Sequence, residues 1–408
     1  MTMELLPVGE ARTRILSTCG PIEDIETVRL DAASGRVLAG DIVAGRSQPP
    51  FASSAMDGYA VRAEDIASAP VELAIVGEAP AGHGLDGAVG RGEAVRIFTG
   101  APVPAGADTI VIQENTERLD EQRVRVDAAA QRGAYVRPMG LDFAEGEAVL
   151  KAGQRLDAGR LTVAAAMNQP LLPVRRRPRI ALLATGDELV PPGEVPRPDQ
   201  IIASNSFGVR AIAEAAGATV IDLGIAEDRQ DEIETAVSRA VAERVDILIT
   251  LGGASVGDHD LVQAALASRG MRLDFWRIAM RPGKPLMYGR LGGLHVLGLP
   301  GNPVSSLVCT HLFVRPLLAV LSGTERRDPI AKAVLGRALA ANDRREDYLR
   351  ARARRTADGQ LVATAFEKQD SSMMRVFAES DCLIIRPPFA DPAAEGETCN
   401  VFMLRATY

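Results

Sequence analysis

Cysteine is scarce. The chain has four in 408 residues (Cys19, Cys309, Cys382 and Cys399), far apart and without a CxxC pair, so neither a disulfide framework nor a zinc site is indicated. Histidine is equally rare: His83, His259, His295 and His311 show no metal-ligand spacing, and His295 and His311 lie in apolar stretches that suit core residues. No Ser-His-Asp order or Cys-His pair stands out, which argues against covalent catalysis by a protein nucleophile. A basic excess is missing too. The formal charge of -7 argues against a nucleic-acid-binding body, and the basic run "VRRRPR" at 174–179 reads as a solvated linker. The opening "MTMELLPVGEARTRIL" lacks the apolar core of a signal peptide, and no stretch reaches the roughly 18 uninterrupted apolar residues of a membrane span. A cytoplasmic protein is expected. There is no internal repeat and no low-complexity tract.

What is present divides by pattern. The first 20 residues read as a helix with Val8, Ala11, Ile15 and Leu16 on one stripe and Gly20-Pro21 as its stop. From about 50 to 150, short β-branched runs ("VELAIVG", "EAVRIF", "DTIVIQE") alternate with Gly, Pro and Asp turns, the mark of a β-rich insertion. Beyond "VRRRPR" the pattern becomes strand, helix, strand: "RIALLAT", "SNSFGVRAIAEAAG", "TVIDLGI", "RQDEIETAVSRAVAE", "VDILITL", "HDLVQAALASRG", "LHVLGLP", then a long helix from Val304 to Leu321. Such alternation predicts a doubly wound, mostly parallel α/β domain, with ligands beyond the carboxyl ends of its strands. The last eighty or so residues return to short strands ("YLRARARR", "LVATAF", "CLIIRP", "CNVFMLRATY") and predict a small β domain.

Four loops fall at strand ends of the α/β domain: "ATGDEL" with Glu188, "GIAEDRQ" with Asp228, "LGGASVGDHD" with Gly252, Gly253, Ser255 and Asp260, and "LPGNPVSS" with Pro300, Asn302, Pro303 and Ser305. Glycine turns ahead of helix N-termini favour anions. Each acid is also explained as a helix cap. Three acid-bearing loops on one sheet edge point further, because carboxylates beside a phosphate pocket make sense when a Mg²⁺ ion bridges them. "RIAMRPGKP" adds Arg277, Arg281 and Lys284, either an anion clamp or an exposed basic loop. In the β-rich part, Asp57-Gly58 and "TGAPVPAGAD" with Thr99 read locally as turns. Strand alternation puts Arg350, Arg352 and Arg354 on one face, as a solvated edge or an anion-binding strip.

Taken in order, "SAMDGYAVR", "RIFTGAPVPAGAD", "ATGDEL", "GGASVGDHD", "MRPGKP" and "LPGNPVSS" resemble the molybdopterin molybdenumtransferase (MoeA) family, which is related to gephyrin's C-terminal part and plant Cnx. The resemblance implies the last step of molybdenum cofactor assembly: adenylylated molybdopterin and molybdate react, with Mg²⁺, to give the cofactor and AMP. It implies a homodimer in which the β-rich insertion of one subunit faces the α/β domain of the other. It also implies contact with a molybdopterin adenylyltransferase and with proteins that receive the product. The implied domains are 1–50 with 140–175, 51–139, 176–326 and 327–408. Motif matching carries over Asp57, Asp142, Glu188, Asp228 and Asp260 as functional acids, Asp228 and Asp260 as metal ligands. Thr99, Gly252, Gly253, Ser255, Arg277, Arg281, Lys284, Pro300, Asn302, Pro303, Ser305 and Arg350 follow as substrate-binding residues, with Ser371 as a weaker match. The chain departs from the family pattern at Arg281, where many relatives have Lys, at Asp258-His259, and at Asp370, where Gly is usual before Ser371. A non-catalytic molybdopterin carrier or scaffold, or a molybdopterin adenylyltransferase, are the competing expectations.

Overall fold

A computed structural model describes residues 5–252, 261–325 and 328–405. It separates into two compact units, Thr27–Val174 and the remainder of the chain.

The larger unit is built on a six-stranded sheet. Its order is Thr219–Ala226, Arg179–Thr185, Ile247–Leu251, Leu294–Leu299, Met287–Leu291, Arg272–Phe275. The first four strands are parallel, Met287–Leu291 runs against them, and the edge strand Arg272–Phe275 pairs antiparallel with Met287–Leu291. Alternation along the strands splits the apolar side chains between two cores. Ile180 and Leu182 face the helices Asn205–Ala215 and Pro303–Ser322, with the N-terminal helix Val8–Ser17 packed through Val8, Ala11 and Ile15 into the same core. Ala181 and Leu183 face the helices Gln230–Ala242 and Leu261–Ser268. The helix Pro303–Ser322 is long and apolar enough to cross a membrane, yet 72% of its apolar window is buried, as suits a core helix. A π turn at Thr310–Val314 interrupts it.

Register sets the site. Thr185 pairs with Ala226, Ala184 with Leu251, and Leu251 with Leu299, so the loops leaving these four strands open on one sheet edge. The chain moves from Arg179–Thr185 to its neighbour on one side and then crosses to the neighbour on the other. That reversal opens a crevice at the strand ends.

The C-terminal β segment is a closed barrel. Glu346–Arg355 pairs with Leu361–Ala365 on one side and Cys382–Arg386 on the other, with Ile330–Leu335 and Thr398–Met403 completing the ring. Closure leaves no free edge except where Met280–Arg281 adds a short parallel strand at Glu346–Asp347. In this barrel Arg350, Arg352 and Arg354 do not form one solvated strip: Arg350 is 1% exposed, whereas Arg352 reaches outward to Glu379.

The smaller unit carries a mixed six-stranded sheet ordered Thr109–Ile112, Gly58–Val61, Glu93–Ile97, Val71–Ala79, Arg123–Val126, Thr116–Arg118. A second core in this unit gathers Leu38, Ile42, Phe143, Leu150, Leu156 and Met167. Here the helix Ala158–Ala166 starts at Asp157, whose carboxylate accepts the Arg160 N–H at 2.9 Å.

Candidate active site

The four loops enclose a cleft of about 1240 Å³. Thr185, Gly186 and Glu188 line it from the first loop, Asp228 from the second, Leu251 and Gly252 from the third, and Pro300 to Pro303 from the fourth. Leu189, Ile201, Ile202 and Met374 add apolar surface to the lining.

Gly252 has φ +100°, and a Cβ there would meet the Thr185 carbonyl oxygen at 2.6 Å, so this turn admits only glycine. Its N–H is directed back to the Leu299 carbonyl at 3.4 Å. It therefore braces neighbouring strand ends rather than offering itself to a ligand. Gly253, Ser255 and Asp260 lie outside the described residues.

Negative charge gathers at the first two loops. The Asp228 N–H donates to Asp187 Oδ1 at 2.9 Å, and the Asp228 carboxyl holds its proton more tightly than usual. Partial desolvation is the main cause, followed by the charges of Asp187 and Glu188. Asp187 belongs to the site on this geometry. The sequence signal was available in the first acid of "ATGDEL". Among the described residues no three His, Cys, Asp or Glu side chains are set to hold a metal ion.

The fourth loop opens the helix Pro303–Ser322. Pro303 occupies its first turn, where a missing N–H costs nothing, and the Gly301 and Asn302 amides donate to no described residue. The barrel closes this end: Val304 N–H donates to the Ser371 carbonyl at 3.1 Å, Asn302 Nδ2 to Ser371 Oγ at 3.0 Å, and Ser372 and Met374 line the cleft. Asp370 shapes the loop by accepting the Ser372 N–H at 2.8 Å. Ser305 is buried inside the helix and is not on the cleft.

The basic candidates separate. Arg281 Nε donates to Asp347 Oδ1 at 2.9 Å and Nη2 to Oδ2, with Asp347 buried. A guanidinium spent in this bidentate pair ties the α/β body to the barrel and does not line the cleft. Arg277 stacks on Trp276, 5.1 Å from the ring centroid. Lys284 makes no ion pair with a described residue, and Pro285 beside it lines the cleft. Arg350 lies beneath the Asp370–Ser372 loop: Nη2 donates to the Asp370 carbonyl at 3.2 Å, and burial pushes its pKa down to about 10.

Asp57, Thr99 and Asp142 belong to the smaller unit. Asp57 Oδ1 accepts both the Thr99 N–H and Oγ1–H at 2.7 Å. These two bonds, and more weakly the charge of Arg96, hold the Asp57 carboxyl below the usual range. It is a fixed carboxylate, ill suited to carry protons near neutral pH. Asp142 is exposed, with its N–H on the Gln48 carbonyl at 2.9 Å.

Three family models match in succession: the MoeA N-terminal region (domains I and II) at residues 6–168, a probable molybdopterin binding domain at 181–320, and the MoeA C-terminal region (domain IV) at 332–404. A molybdopterin molybdenumtransferase of Haemophilus influenzae is 32% identical over 97% of this chain and 98% of its own. The chain belongs to the MoeA family. Among other members, a molybdopterin molybdenumtransferase of a Nostoc species is 39% identical over 80% of this chain and 77% of its own. A crystal structure of a molybdopterin biosynthesis MoeA protein from Pyrococcus horikoshii superimposes with a TM-score of 0.85 at 28% identity, covering 98% of this chain and 100% of that one.

Proposed function

We propose that the protein carries out the last step of molybdenum cofactor assembly, transferring molybdenum from molybdate to adenylylated molybdopterin with release of AMP, and that it uses Mg²⁺. The observation that carries this reading is the near full-length likeness to enzymes named molybdopterin molybdenumtransferase, joined to a cleft with carboxylates at one end and helix-start amides at the other.

Clustered carboxylates that make no ion pair with a described residue, in a partly desolvated cleft, suit a cation, and the same crowding raises the proton affinity of Asp228. Mg²⁺ takes one or two carboxylates and completes its shell with water and phosphate oxygens, so three protein ligands are not required. Asp228, with Asp187 or Glu188, would hold it, and Asp260 joins them from the motif match. The ion, when bound, neutralises charge that develops on the leaving phosphate. The chain's own groups do the rest. The Gly301 and Asn302 amides at a helix start receive phosphate oxygens, and Lys284 and Arg277 supply positive charge for two anionic substrates. Glu188, accessible at the cleft, is the residue available to move a proton from water or a thiol. Arg350 holds the loop that forms one wall.

The reading includes a cytoplasmic homodimer that exchanges substrate and product with other cofactor-assembly proteins. Phe51, Met56, Tyr135, Met139 and Leu141 are exposed around the paired segments Ser53–Ser54 and Val136–Arg137, next to Asp57 in the chain. Apolar side chains gathered in this way favour a covering partner. The test is AMP release from adenylylated molybdopterin, with molybdate and Mg²⁺ each omitted in turn. Release that needs both is expected. Tight binding of the substrate without AMP release would mark a carrier instead.

A further inference from the structure

We propose that Arg96 is a positioning residue for Asp57, holding the Asp57–Gly58 turn from behind so that the carboxylate stays on Thr99. The inference rests on the reading of Asp57 as a functional acid. Arg96 lies on the strand Glu93–Ile97, directly opposite Tyr59 in the antiparallel register. Its guanidinium carbon sits 5.3 Å from the Tyr59 ring centroid and 4.8 Å from that of Phe98. Stacking on two rings fixes the plane of the fork.

The fork then grips the turn at two points. Nη1 donates to the Gly58 carbonyl at 3.1 Å, and Nη2 to Gln113 Oε1 at 3.1 Å. Gln113 in turn donates its backbone N–H to the carbonyl of Asp57 at 3.1 Å. Arg96 thereby reaches the two consecutive peptide groups on either side of Gly58, immediately after the Asp57 side chain, one directly and one through Gln113. It forms no ion pair with any described carboxylate. Structural arginines at a surface usually spend their charge on an acid; this one spends its donors on neutral acceptors and leaves its charge beside Asp57.

Lysine does not substitute, because an ammonium on a flexible stem lacks the planar fork that reaches both acceptors while stacked. The test compares Arg96→Met, Arg96→Lys and Gln113→Leu in the full chain. Three readouts are used: crystal structures, kcat and KM for AMP release, and thermal midpoints. Arg96→Met is expected to leave a folded protein in which Asp57 has departed from Thr99, with kcat down about 100-fold, the scale of a misplaced reacting group, and KM within about twofold. Arg96→Lys should behave like Met, and Gln113→Leu should show a smaller loss in kcat. If Arg96→Met does not fold, Arg96→Lys and Gln113→Leu decide by the same readouts. An Asp57 that keeps both Thr99 bonds in the variant structures overturns the proposal, as does unchanged kcat. Absence of AMP release by the unaltered protein would defeat the functional reading alone, since the variant structures still judge the role of Arg96.

Discussion

Asp228 and Asp57 are shifted in opposite directions, and each shift has a different consequence for stability. Asp228 is raised, so the folded state takes up its proton at a higher pH than the unfolded chain does. Ionising it near neutrality therefore costs stability, a cost that vanishes as pH falls through the folded value. A bound dication reverses that sign. Mg²⁺ is expected to raise the thermal midpoint at neutral pH, and Asp228→Asn to raise it without Mg²⁺ while abolishing the Mg²⁺ increment; equal increments in both proteins would count against a metal at Asp228. Asp57 is lowered, so its contribution is present above the unfolded pKa and is lost as pH falls through the folded one. Thr99→Val, which removes one of its two Thr99 donors, should move the acid limb of the activity profile to higher pH. Residue types at these positions were legible in the sequence, but side-chain direction was not. Gly252 has the turn expected of it yet sends its N–H to Leu299, and Arg281 faces Asp347, which lies 66 residues further along.

At the scale of elements, Gly58 shows how tightly the β-rich sheet is drawn around its turn. A Cβ at Gly58 would lie 1.9 Å from the Val111 carbonyl oxygen, and backbone cannot swing aside as a flexible side chain does. Gly58→Ala is expected to destabilise the protein by about 3 kcal/mol, the upper end for overpacking, measured by urea unfolding. Asp157→Ala removes the cap of helix Ala158–Ala166 and should cost about 1 kcal/mol. The alternating strand and helix patterns from 179 to 321 were readable because the central strands Arg179–Thr185, Ile247–Leu251 and Leu294–Leu299 are buried on both faces and the helices carry an apolar stripe. "MYGRL", which becomes the antiparallel strand Met287–Leu291, escaped notice because Gly289 and Arg290 break its apolar pattern. The π turn at Thr310–Val314 has no sequence signal of its own. Nor did the strand letters reveal that Arg350 is covered while Arg352 on the same face is exposed, since period-two alternation gives faces and not what packs over them.

Across the whole molecule, one buried and one half-buried histidine couple stability to pH. His295 and His311 are both lowered to about 4, chiefly by burial, with Arg290 and Arg315 adding repulsion. A lowered histidine is protonated first in the unfolded chain, so stability declines as pH falls from the ordinary value of 6.5 toward about 4. His311→Leu should flatten the fall in thermal midpoint across that window. The Arg281–Asp347 pair acts at the same scale. Arg281→Met leaves buried Asp347 without its cation and should cost about 3 kcal/mol, the low end for a buried pair because the guanidinium side is part exposed.

The short strand Met280–Arg281 bears on the descent of such chains. A segment in the middle of the α/β body lends the barrel a strand, and the barrel returns Ser372 and Met374 to the cleft. Each piece is unfinished without the other, so neither behaves as an exchangeable module. Recombination that swapped only the C-terminal β domain would leave Arg281 facing an unfamiliar partner and the cleft short of a wall. The viable crossover points lie elsewhere, where a graft takes the lender and the borrower together.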